Sequence, residues 1–105
     1  MANTLARPAG PANAASGTST ALTVTSGHTY TIRNIRYVNN TAAAITIKIG
    51  IGGVTDALLI IPAISIPAGG MLNHDCFIIM TTGETLQINT TATGGTLTVS
   101  ALDQN

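Results

Sequence analysis

His74, Asp75 and Cys76 are the residues of this chain whose types and spacing best suit chemistry. On an extended strand His74 and Cys76 point to one side and Asp75 to the other. A thiolate beside an imidazole supplies two zinc ligands, or a nucleophile with its base. Structural zinc takes four ligands, and beyond this pair the sequence offers only His28 or a carboxylate from Asp56, Asp75, Glu84 and Asp103. Cys76 is the only cysteine, so no disulfide forms within the chain. Free cysteine commonly behaves as a small core hydrophobe. The simpler expectation therefore has Cys76 filling a small core site beside Phe77, with His74 at a rim. It implies no catalytic residue, no metal and no cofactor.

Other chemistry is sparse. Asn39-Asn40-Thr41 and Asn89-Thr90-Thr91 match the glycosylation acceptor pattern, but a Thr-rich chain produces such matches by chance. Residues Met1 to Ala15 hold no continuous apolar core and are interrupted by Pro8 and Pro11, so no secretory leader is expected and synthesis in a cytoplasm is. Arg7, Arg33, Arg36 and Lys48 are scattered, which argues against nucleic acid as the main partner. The longest apolar run, Ala57 to Ile64, is broken by Pro62 and is far shorter than a membrane-spanning helix. Tyr30, Tyr37 and Phe77 are the only aromatic residues, too few for the stacking platforms that hold sugars or single-stranded nucleic acid. Loop-borne Asn and Asp leave a lectin-like role open.

The elements that position these residues are strands. From Thr20 onward the hydrophobic period is two. Leu22 and Val24 alternate with threonines, and Tyr30 and Ile32 share a face. The phase then slips to Ile35 and Tyr37, which predicts a bulge near Arg33–Asn34. Ile45, Ile47, Ile49 and Ile51 give the cleanest alternation. Leu58 to Ile61 is a continuous apolar run, as expected of a strand covered on both faces, the second cover being another subunit. Pro62 and Pro67 place the stretch around Ile64 and Ile66 at a sheet edge or a crossing between sheets. Met71 to Met80, Leu86 to Ile88 and Leu97 to Ala101 complete the set, with Gly-containing turns between them. No segment has a helical period. The expectation is an all-β chain: an antiparallel β-sandwich or jelly roll of about seven or eight short strands.

Two further properties bear on function. Residues 1–17, rich in Ala, Gly and Pro, have no apolar period and read as an extended N-terminal arm, leaving residues 18–105 as the β-sandwich domain. Only 8% of residues are charged, against roughly 25% in ordinary soluble domains, and the net charge is zero. Such a surface has little self-repulsion to hold free molecules apart and suits a chain that lies against copies of itself or other proteins. The residues expected to meet those neighbours are Leu5 and Arg7 in the arm, Arg33 and Arg36 beside the bulge, and Leu59 and Ile61 in the apolar run.

The stretches Tyr30–Ile35, Val38-Asn39-Asn40 and Ile45–Ile51, with Ile66-Pro67-Ala68-Gly69, Thr82–Leu86 and Gly95–Ala101, resemble a group of small bacteriophage virion proteins. The resemblance spans roughly Thr25 to Leu102 and lies mainly in the spacing of strands and turns. One turn usually written Gly–Asp stands here as Gly83-Glu84. The resemblance implies a structural protein of the virion, made in the host cytoplasm. The first expectation is a capsid decoration (cement) protein, bound to the major capsid protein or another virion protein as a homo-oligomer, with a trimer favoured. The alternative is a neck, tail or collar component, or a module that binds a host-receptor glycan. The group carries no catalytic residues to transfer.

Overall fold

A computed structural model describes residues 3–14 and 16–104. They form eight strands: β1 (Asn3–Ala14), β2 (Gly17–Thr23), β3 (Thr29–Val38), β4 (Ile45–Ile51), β5 (Leu59–Ile66), β6 (Met71–Met80), β7 (Thr85–Thr90) and β8 (Gly95–Gln104). The strands make two four-stranded antiparallel sheets, ordered β1-β8-β3-β6 and β2-β7-β4-β5. Each strand of the first half pairs with its mirror in the second: β1 with β8, β2 with β7, β3 with β6, β4 with β5. The chain is one long hairpin, bent back between β4 and β5 and rolled so that alternate pairs fall in opposite sheets. The β3–β8 and β4–β7 ladders close the roll. This connectivity is a jelly roll.

The alternating sequence explains the two layers. Ile45, Ile47 and Ile49 of β4 are fully buried and stack against Leu86 and Ile88 of β7 and Ile32, Ile35 and Val99 of the other sheet within one core. Each such side chain contributes on the order of 1.5–3 kcal/mol when taken from water. The bulge expected at Arg33 is present: the ladder slips between Ile32 and Asn34 against both β6 and β8. The slip keeps Ile32 and Ile35 both in the core while Arg33 stays exposed.

Three features differ from the sequence-based expectation. Residues 3–14 of the expected arm are a strand that pairs with β8 of its own chain; Met1, Ala2 and Ala15 lie outside the described residues. The run Leu58–Ile61 does not form one strand covered on both faces. Leu58 ends a short 3-10 turn (Asp56–Leu58) and is exposed, and the ladder skips Ile60 because Gly50 pairs with Leu59 and Ile49 with Ile61. That skip, with a second beside Pro62, lets neighbouring apolar residues turn inward on an edge strand. Phe77, expected near the core, lies on the outer surface, because β6 alternates strictly and Ile78 takes the inward position.

One end of the roll is tied by Asn39, which is fully buried. Its Nδ2 donates to the carbonyls of Ala43 (2.8 Å), Ile66 (2.9 Å) and Pro67 (3.2 Å). Its Oδ1 accepts from the Thr41 amide (3.0 Å) and hydroxyl (2.6 Å). The side chain thus joins the β3–β4 loop to the β5–β6 loop, and its burial leaves no room for a glycan on the first acceptor pattern.

Candidate functional site

The two outer faces of the roll differ in chemistry. The outer face of the β2-β7-β4-β5 sheet is a ladder of neutral polar groups. Asn89 Nδ2 donates to Thr18 Oγ1 and Gln87 Nε2 to Thr20 Oγ1, with Lys48 the one charged residue among them. The outer face of the β1-β8-β3-β6 sheet carries apolar and basic groups together. Leu5 is 84% exposed, Phe77 69%, Met71 59% and Ile79 58%. All four belong to this sheet, which also holds Arg7, Arg33, Arg36 and Asp75.

Register explains how Leu5 and Ile79 come into one row, while Met71 stands opposite Val38 at the other end of β6. Leu5 pairs with Leu102, Leu102 with Thr31, and Thr31 with Ile79, giving one row across all four strands. Thr31 is buried although it alternates with Tyr30 and Ile32, because larger side chains flank it on both neighbouring strands. Beside this row Arg33 lies over the Phe77 ring, 5.7 Å from its centroid. A shallow depression of about 400 Å³ lies between β1 and β3, lined by Leu5, Ala6, Arg7, Arg33, Ser100 and Ala101. The small residues of β8 leave room there between the flanking arginines.

The arginines of this face have no ionic partner among the described residues. Three of the four acids are engaged elsewhere or by neutral groups. Asp75 accepts from Asn34 Nδ2 (2.8 Å), and Glu84 from the Thr81 amide (2.7 Å) and hydroxyl (3.0 Å). Asp103 meets His28 Nδ1 at 2.7 Å. The Tyr30 ring stands edge-on to His28, and Tyr30 Oη is 3.2 Å from Thr25 Oγ1. The pairing of His28 with Asp103, from opposite ends of the chain, carries no local sequence signal; the β3–β8 ladder creates it by placing Thr29 opposite Gln104.

The residues expected at interfaces are therefore placed as follows. Leu5, Arg7 and Arg33 line one depression, and Arg36 is exposed on the same sheet, opposite Thr98 and Asn73. Leu59 is half-buried on an edge strand of the other sheet. Ile61 is a correction: it is 2% exposed and faces the core opposite Ile49, so it has no surface to offer a neighbour. Sequence reading missed Met71, Phe77 and Ile79 as surface residues. The strict alternation of β6 with inward Leu72, Ile78 and Met80 was the signal that would have found them.

His74 and Cys76 do share the inward side of β6, and no group of three His, Cys, Asp or Glu forms among the described residues. The Cys76 thiol is 3.6 Å from the Ile32 carbonyl and donates to it. Burial pushes its pKa up, and the Asp75 charge adds to this, with Arg33 opposing. The raised pKa favours the neutral thiol, which is the poorer nucleophile. Alkylation by iodoacetamide near neutral pH is therefore expected to be slower in the folded chain than after unfolding in guanidinium. The folded chain's rate should also keep rising with pH after that of the unfolded chain has levelled off. Equal rates in the two states would show the thiol to be free and ordinary.

The fold and this surface define a small jelly-roll domain with one polar face bearing a single lysine and one apolar, arginine-bearing face. No protein-family model matches the sequence, and no curated protein matches it.

Proposed function

We propose that this chain is a structural protein of a virion, acting as a capsid decoration (cement) protein that binds the shell as a closed cluster of identical copies. The observation that carries this reading is the outer face of the β1-β8-β3-β6 sheet. Four large apolar side chains stand exposed there, on the same sheet as arginines with no ionic partner among the described residues, on a chain with 8% charged residues. Large exposed apolar residues grouped on one face mark interaction surfaces, and arginine with aromatic residues is enriched where such surfaces bind. The jelly roll agrees with this reading by fold-level analogy, since viral shell domains are among its hosts, as are lectins and cupins. Repetition on a lattice lets many modest contacts act together. Threefold symmetry is the arrangement the resemblance favours, and the partners are the major capsid protein or another virion protein.

The test uses surface changes that leave the core alone. Leu5→Asp combined with Arg7→Asp alters two exposed side chains of the depression. The variant is expected to keep the parent's β-sheet circular dichroism and to lose attachment to purified particles stripped of this chain. Attachment at the parent's affinity would overturn the reading. Copy number per particle, measured by mass spectrometry of purified virions, separates a shell protein from a neck, tail or receptor-binding component, which is present in few copies.

A further inference from the structure

The geometry points to a second copy of this chain docked edge to edge on β6, antiparallel and related by a twofold axis. A jelly roll has four open edges, and here they are unequal. β1 contains Pro8 and Pro11 and slips twice against β8. β5 contains Pro62 and slips twice against β4. β2 is short and slips once against β7. Prolines, bulges and short length are the usual protections of a sheet edge. β6 also slips once, against β3 between Asp75 and Ile78, but it is the longest edge without a proline, at ten residues, and it exposes Met71, Phe77 and Ile79. It also borders an incompletely closed side of the sandwich. β1 lies against β2, so β5 and β6 share the other side. There Ile60, Ile64, Leu72, Cys76 and Ile78 are only partly covered. A second copy on this edge covers both sets.

Charge selects the register. When an added strand continues the sheet, outward residues face outward residues. Four twofold registers then bring the middle of β6 to the axis. Centring on His74 sets Asp75 against Asn73 of the second copy, with no cation in the pair. Centring on Asp75 sets two carboxylates opposite each other, which is destabilising. Centring on Phe77 sets Asp75 against Ile79 of the second copy, with no cation in the pair. Centring on Cys76 sets Asp75 against Phe77 of the second copy, whose ring carries the Arg33 guanidinium. That register pairs an arginine with an aspartate twice, once on each side of the axis. Neither group has an ion-pair partner within the described residues of its own chain. A twofold contact closes on itself and makes a dimer. A threefold cluster on a shell needs a different surface, and of the four exposed apolar residues on this sheet only Leu5 lies away from the β6 edge.

The experiment is sedimentation equilibrium of the purified full chain over a concentration series, with no particle present, so its outcome is independent of the virion reading. The parent is expected to dimerise. Phe77→Lys with Ile79→Lys, both at exposed positions, is expected to be monomeric with unchanged circular dichroism. Asp75→Arg and Arg33→Asp are each expected to weaken the dimer, and the two together to restore it. A parent that stays monomeric, a lysine variant that still dimerises, or charge reversals that fail to compensate each overturns the proposal. The charge pair keeps the question decidable if the lysine variant does not fold.

Discussion

Asn39→Leu is expected to destabilise the domain by about 3 kcal/mol, a large share of the 5–15 kcal/mol that holds a domain of this size together. Leucine fills much of the space but offers no polar atom. The carbonyls of Ala43, Ile66 and Pro67 then lose their shared donor, and Thr41 loses the acceptor for its amide and hydroxyl. Groups left unmatched in a buried site cost more than the net value of the bonds that joined them. Asn39→Asp is expected to be at least as damaging. It keeps the acceptor for Thr41 but turns a carboxylate toward three carbonyl oxygens. Urea unfolding checks this through the midpoint, with the slope expected to stay the same. A leucine variant within about 1 kcal/mol of the parent would show that water replaces the amide without penalty.

Gly95→Ala is expected to cost about 3 kcal/mol or more, at the upper end of what overpacking does. Gly95 opens β8 and is buried, and a Cβ placed on it falls within the ring of Tyr37. Tyr37 is fully buried, so its ring has nowhere to move. The obstructing atoms include ring carbons as well as the hydroxyl, so Tyr37→Phe is not expected to rescue the alanine variant. Tyr37→Ala is expected to rescue it in part. In the parent background Tyr37→Phe is expected to be neutral or stabilising, since no described residue satisfies the buried hydroxyl. Thermal unfolding of the four variants distinguishes these outcomes. An alanine variant as stable as the parent would mean that β8 shifts freely at its start.

The strands were legible in the sequence wherever one face is dry and the other wet. Ile45–Ile51 reads as a strand and is one, and the phase slip at Arg33 reads as a bulge and is one. The edge position of the Pro62 segment follows from a missing donor. β1 was not legible as a strand of its own sheet. Its prolines and small residues leave no alternation, and its pairing depends on β8 at the far end of the chain. Ile61 looked like interface because a run of four apolar residues has no period, while the skip of Ile60 that turns Ile61 inward is a property of the ladder. Asn39 reads as a turn residue by type. Its burial arises only when the β5–β6 loop closes over it. The candidate face was half legible. Its arginines stood out because charge is rare, but its apolar members were hidden among core-like neighbours in β6.

The rolled hairpin also sets a timetable. β1 finds its ladder on β8, and β2 on β7, so the earliest strands to be synthesised wait for the latest. Pairings this distant in sequence are slow to form and leave apolar edges open meanwhile. Only the central β4–β5 hairpin pairs neighbours in the chain, and it is the natural place for order to begin and spread outward. The fold therefore completes only after β8 has been made, and a face assembled from β1, β8, β3 and β6 exists only once that strand is in place. Until that moment the chain has no finished surface to present, which separates its production in time from any assembly it joins.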